Sequence, residues 1–234
     1  MTTFVLLHGA WHGAWCWAGL QDELTARGID SLAIDLPADE PDAGIQRYAD
    51  VVEQGVDARK DVVVVAHSLA GLVAPVAGER LGARGIVMLA ALWPTPGRSA
   101  REQARDLPGI YTDRYRQAPR IRYDDGSTAM PPEVAVYLLY QDCAPTVASA
   151  ASGWLRPQHW RIWSEACPLV EWPGLPTAAV ACRHDRMLEA EGMVRGSARA
   201  AAPLSWLPSG HSPMLSMPAA LADELMRVTG EFPA

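Results

Sequence analysis

Residues 61–71 read Asp-Val-Val-Val-Val-Ala-His-Ser-Leu-Ala-Gly. Four consecutive valines suit a strand buried on both faces, and the run breaks at Ser68 into residues of helical character. A strand, a sharp turn carrying serine and then a helix together present a hydroxyl at the tip of a strained turn. Serine is a weak nucleophile at neutral pH, so it must stand where a base can take its proton and a carbonyl can approach. Its flanking side chains must be small, because they would otherwise meet the adjoining strand and helix. Ala66 and Ala70 stand where the pattern Gly-x-Ser-x-Gly has glycine. The same residues also suit an ordinary strand-to-helix turn with Ser68 as a helix N-cap, so other parts of the chain must decide.

Apolar runs recur at Phe4 to Leu7, Ser31 to Ile34, Val62 to Val65, Ile86 to Ala90, Thr177 to Cys182 and Leu204 to Leu207. Helical patterns lie between them, at Trp15 to Arg27, Ile45 to Ala58, Leu69 to Leu81, Glu189 to Ala202 and Ala219 to Thr229. Strands alternating with helices predict an α/β fold with a mostly parallel sheet of about six strands, covered by helices on both faces. The alternation stops over residues 94–173, a stretch too long for a simple loop. It is expected to form an inserted helical cap with helices at Ala100 to Asp106, Glu133 to Gln141 and Thr146 to Trp154. Residues 1–93 and 174–234 then form the core.

A chain of 234 residues with 49% apolar and 20% charged residues suits one domain with a substantial core. Its formal net charge of -7 argues against nucleic acid as a partner. No apolar stretch is long enough to span a membrane, and no basic n-region precedes Phe4, so a cytoplasmic location is expected. Cys16, Cys143, Cys167 and Cys182 have no CxxC spacing and read as reduced thiols. A homodimer is compatible with the sequence, which does not specify assembly.

Ligands of open parallel sheets bind at the carboxyl ends of the strands, and His8, Ser68, Asp185 and His211 each follow a predicted strand. Serine catalysis needs a base, and an acid that holds the base in the correct tautomer. His211, in Ser-Gly-His-Ser-Pro, is the expected base and Asp185 the expected acid. Their alternatives are a solvent-facing loop histidine and a helix N-cap, and Asp35 is a rival acid. The order Ser68, Asp185, His211 is that of α/β-hydrolases. The loop His8-Gly9-Ala10-Trp11-His12-Gly13 after the first strand suits an oxyanion site, with the backbone N–H groups of Ala10 and Leu69 as donors. His67 is expected to pack or hydrogen-bond within the turn, His184 to be a partly exposed turn residue, and no metal site is expected. The tryptophans near the cap suit a small hydrophobic or aromatic ester, with Gly9, Trp11, Trp93, Trp154 and His159 as candidate pocket residues. Arg98 to Arg122 includes seven arginines, and the interspersed acids favour an exposed helical face over an anion site.

The segments Phe-Val-Leu-Leu-His-Gly-Ala-Trp-His-Gly-Ala-Trp, Ala-His-Ser-Leu-Ala-Gly, Leu139 to Cys143, Leu155-Arg156-Pro157, Cys182 to Asp185 and Gly210-His211 resemble the plant methylesterase and hydroxynitrile lyase branch of the α/β-hydrolase superfamily. The resemblance implies nucleophile Ser68, acid Asp185, base His211, oxyanion donors Ala10 and Leu69, and no cofactor. The lyases of that branch carry lysine after the histidine or a polar residue in the place of Gly9. Here Ser212 follows His211 and Gly9 is glycine, so the chain resembles the esterases. Other triad reactions, carbon–carbon cleavage or acyl transfer, and a ligand-binding protein without turnover are the alternatives.

Overall fold

The computed structural model describes residues 2–57 and 59–232, so Ala58 and the chain ends lie outside the described residues. Strands β1 (Thr3–Leu7), β2 (Asp30–Ile34), β3 (Val62–His67) and β4 (Gly85–Leu89) alternate with α1 (Ala18–Ala26), α2 (Ile45–Val56) and α3 (Ala74–Leu81). The inserted segment carries α4 (Ala100–Asp106), α5 (Asp113–Gln117), β5 (Ile121–Arg122), β6 (Thr128–Ala129), α6 (Pro132–Leu139), α7 (Pro145–Gly153) and α8 (Arg161–Ser164). The alternation resumes with β7 (Thr177–Cys182), α9 (Ala190–Arg199), β8 (Leu204–Leu207), α10 (Pro213–Ser216) and α11 (Pro218–Thr229).

Six strands form one sheet in the order β2-β1-β3-β4-β7-β8. Every neighbouring pair is parallel, with Val64 of β3 beside Val5 of β1 and Ile86 of β4. The valine run is continuous because successive side chains of β3 enter opposite, equally buried layers. Val63 and Val65 pack with Leu20 and Leu24 of α1 and Leu221 and Leu225 of α11. Val62 and Val64 belong to the other buried layer, which also holds Val52 of α2, Ala77 of α3 and Met193 of α9. Each fully buried valine contributes about 1.5–3 kcal/mol relative to exposure.

Residues 94–173 leave after β4 and return before β7, and none of their described residues joins the six-stranded sheet. Bridges between Pro96 and Cys167 and between Ser99 and Ala166 draw the two ends of the segment together. The antiparallel pair β5–β6 was not anticipated from the sequence. Helix α4 starts with a capping box, Ser99 Oγ accepting from the Glu102 N–H while the Glu102 carboxylate accepts from the Ser99 N–H. Among the described residues no helix is long and apolar enough to cross a membrane. Cys16, Cys167 and Cys182 are buried, Cys143 is half-buried, and all four are free thiols.

Candidate active site

β3 stops at His67, and the next residue, Ser68, has a φ of 54°. Positive φ in a non-glycine residue costs about 1–3 kcal/mol and persists only where the surroundings impose it. They do so through the Ser68 carbonyl, which accepts from the Leu92 N–H at 2.9 Å. Residues Ser68–Leu72 wind as a tight 3₁₀ turn before α3 begins, so the helix expected from Leu69 is split in two. Ala66 and Ala70 are fully buried, as the turn requires. The closest approach lies one place further on. A Cβ at Gly71 would run into the Leu92 carbonyl oxygen and come within 2.9 Å of the Ala91 side chain.

His211 lies in the loop between β8 and α10 and reaches back across the sheet. Its Nε2 is 3.0 Å from Ser68 Oγ, and its Nδ1 is 2.7 Å from Asp185 Oδ2. A carboxylate only accepts, so Nδ1 carries the proton and Nε2 is free to accept from the serine hydroxyl. Asp185 does two jobs at once: its other oxygen accepts from the N–H groups of Met187 and Leu188 at 2.7 and 3.0 Å. Asp185 thus closes the turn after β7 while facing His211, but it is not a helix N-cap, because α9 starts after Glu189. Asp35 is instead engaged by Arg156 at 2.9 Å, and its side chain is 58% exposed.

Gly9 lies against Ser68, where an added Cβ would come within 2.9 Å of Ser68 Cβ and 3.0 Å of His67 Nδ1. His67 is fully buried and its Nε2–H donates to the His211 carbonyl at 2.8 Å. Burial, reinforced by the neighbouring His211, holds His67 well below the ordinary imidazole range and therefore neutral. The loop carrying His211 is also held from the inserted segment, because the Gly210 N–H donates to Asp142 at 2.6 Å. Leu69 is the second residue of the 3₁₀ turn, so its N–H precedes the first intrahelical partner. Among the described residues no group of three or more His, Cys, Asp and Glu side chains is placed to hold a metal.

The candidate pocket residues separate. Trp11 is buried, donates from Nε1 to the Thr128 carbonyl at 3.0 Å and packs edge-on against Trp160. Trp93 lines a cavity of about 40 Å³ with Leu92, Tyr111 and Leu188, and none of Ser68, Asp185 and His211 borders it. Trp154 departs from expectation, being 61% exposed and resting edge-on against Trp15 on the outer surface. His159 is buried and faces Asp125 of the β5–β6 turn at 3.7 Å. His184 is an exposed turn residue, as expected. Several arginines between Arg98 and Arg122 are taken up locally: Arg98 and Arg105 pair with Asp106, Arg116 pairs with Asp113, and Arg120 lies over the Tyr115 ring.

The chain is 30% identical over 179 residues to methyl jasmonate esterase 1 of Vitis vinifera, which covers 66% of each chain. It is 35% identical over 105 residues to methylesterase 7 of Arabidopsis thaliana, covering 39% of this chain and 40% of that one. It thus spans just under two thirds of the first relative and about two fifths of the second. The structure superposes on polyneuridine aldehyde esterase with a TM-score of 0.83 at 20% identity, covering 98% of this chain and 99% of that one, a likeness of fold. The alpha/beta hydrolase family itself matches residues 4–224, from β1 into α11. Because that match takes in the serine turn, the inserted segment and the histidine loop together, the chain belongs to the alpha/beta hydrolase family, and its similar relatives include plant methylesterases.

Proposed function

We propose that this chain is a serine carboxylic-ester hydrolase, with Ser68 as nucleophile, His211 as base and Asp185 as the acid that orients it. The observation that carries the reading is the unbroken hydrogen-bonded line from Ser68 Oγ through His211 to Asp185, at 3.0 and 2.7 Å. Ser68 Oγ attacks the ester carbonyl carbon as its proton passes to His211 Nε2. The tetrahedral intermediate expels the alkoxide, which leaves as the alcohol with the proton from Nε2, and Ser68 holds the acyl group. Water, deprotonated by His211, attacks that acyl-enzyme and releases the acid while Ser68 recovers its proton. The N–H groups of Ala10 and Leu69 bind the oxyanion in both intermediates, each donor being worth about 2.7–4 kcal/mol. No cofactor takes part.

The similarity to plant methylesterases and the aromatic surroundings of Trp11 support a small hydrophobic or aromatic ester as substrate. The close approach of Gly9 to Ser68 leaves no room for the polar side chain found there in the lyases, which favours hydrolysis over cyanohydrin cleavage. The test is hydrolysis of short p-nitrophenyl esters and aromatic methyl esters by the wild type and by Ser68→Ala. Turnover should fall by at least about 10³-fold in the variant with the fold retained. A well-folded Ser68→Ala protein that keeps most of the activity would overturn the assignment.

A further inference from the structure

The loop after β1 is held by its carbonyl side. The Gly9 carbonyl accepts from His8 Nδ1 at 2.9 Å and from the His12 N–H at 3.4 Å. The Ala10 carbonyl accepts from His12 Nδ1 at 2.9 Å. Trp11 and His12 offer theirs to Arg156, the first to its backbone N–H at 2.8 Å and the second to Nε at 2.9 Å. Four consecutive carbonyls are engaged in this way. In a planar trans peptide the N–H points opposite to the C=O, so fixing these oxygens also fixes where the loop's N–H groups point. The Gly9 carbonyl shares its peptide plane with the Ala10 N–H.

Two of the anchoring residues, Tyr140 and Arg156, come from the inserted segment. Tyr140, 1% exposed at the end of α6, lies with its hydroxyl 2.9 Å from His12 Nε2. The Ala10 carbonyl can only accept, so His12 must carry its proton on Nδ1, which leaves Nε2 to accept from the Tyr140 O–H. Burial pushes His12 down to about 3, which keeps this donor–acceptor polarity intact at neutral pH.

We propose that Tyr140 and His12 form a positioning pair through which the inserted segment orients the peptide groups of the oxyanion loop. The inference rests on the ester-hydrolase reading in taking the Ala10 N–H as an oxyanion donor. Neither side chain touches the substrate. Tyr140 holds the tilt of His12, whose tautomer the Ala10 carbonyl sets, and His12 fixes the Ala10–Trp11 peptide next to the donor.

The test compares wild type, Tyr140→Phe, His12→Leu and His12→Asn on p-nitrophenyl butyrate, with Ser68→Ala as the blank. The kcat should fall about tenfold in Tyr140→Phe and about 100-fold in His12→Leu, with KM within about twofold, because the oxyanion forms only after attack. His12→Asn should recover most of the His12→Leu loss, since its amide N–H can reach the Ala10 carbonyl from the place of Nδ1. A kcat within about twofold of wild type in both Tyr140→Phe and His12→Leu, or equal losses in His12→Asn and His12→Leu, overturns the proposal. If His12→Leu does not fold, Tyr140→Phe, which lacks one oxygen only, decides alone. A wild type without Ser68-dependent turnover would instead refute the hydrolase reading, and ¹⁵N NMR of His12 then judges the pair. Protonated Nδ1 in the wild type and displaced Ala10 and Trp11 amide signals in Tyr140→Phe support it. Protonated Nε2, or unmoved amide signals, overturns it.

Discussion

His67 and His211, 144 positions apart, are joined by a 2.8 Å hydrogen bond from the ring of the first to the backbone carbonyl of the second, and their rings lie 4.7 Å apart. The residue before Ser68 thereby fixes the loop that carries His211. His67 Nδ1 has no partner among the described residues, and the space beside it is taken by the backbone of Gly9. One buried ring thus touches three parts of the site.

His67→Phe keeps the ring and removes the donor, leaving the His211 carbonyl buried without its partner. A loss of about 1–3 kcal/mol in urea denaturation is expected. The looser base should also lower kcat by about tenfold. Wild-type stability and kcat in that variant would show that the bond does not position His211.

The two small residues Ala70 and Gly71 should respond unequally to substitution. Gly71→Ala drives a methyl into the Leu92 carbonyl and should cost about 1–3 kcal/mol, with a drop in activity as the turn shifts. Ala70→Gly, which restores the common pattern, should cost about 1 kcal/mol or less, through chain entropy alone. Thermal melts and ester turnover of the pair check this, and a harmless Gly71→Ala would refute the close-approach argument.

Acid should destabilise the protein through its buried histidines. His12 is held down to about 3 and His67 lower than usual, in both cases chiefly by burial, whereas in the unfolded chain both titrate near the ordinary value of about 6.5. Below that value the unfolded state binds more protons, so stability falls as pH falls; above it the contribution is complete. Each histidine adds a slope of up to about 1.4 kcal/mol per pH unit across its window. Urea denaturation from pH 7 to 4 should therefore show a shallower decline in His12→Asn than in wild type. Parallel declines would mean that His12 is not the neutral buried group described.

The sheet was legible because its strands are short apolar runs in a chain otherwise rich in helical patterns. Thr177–Cys182 and Leu204–Leu207 coincide with the expected segments to the residue. The juxtaposition of Ser68, Asp185 and His211 was legible because each follows a strand and so falls at the same end of the sheet. The pair β5–β6 escaped because each strand has two residues, and Ile121 and Arg122 are exposed, leaving no apolar pattern. The Asp125-Gly126 turn between them was the available signal. Tyr140, Arg156 and Asp142 escaped for another reason. Their partners lie 128, 144 and 68 positions away, and no local pattern encodes a contact made only when the inserted segment folds over the sheet. Trp154 misled because a tryptophan's apolar bulk does not say which side of a helix it covers.

The inserted segment enters and leaves the sheet between adjacent strands, β4 and β7, so it resembles a cassette that could be exchanged without disturbing strand register. The bonds from Tyr140, Asp142 and Arg156 set the terms of such an exchange. A grafted segment that fits its neck but lacks these three anchors would leave the His12 loop and the His211 loop without their hold from above the sheet.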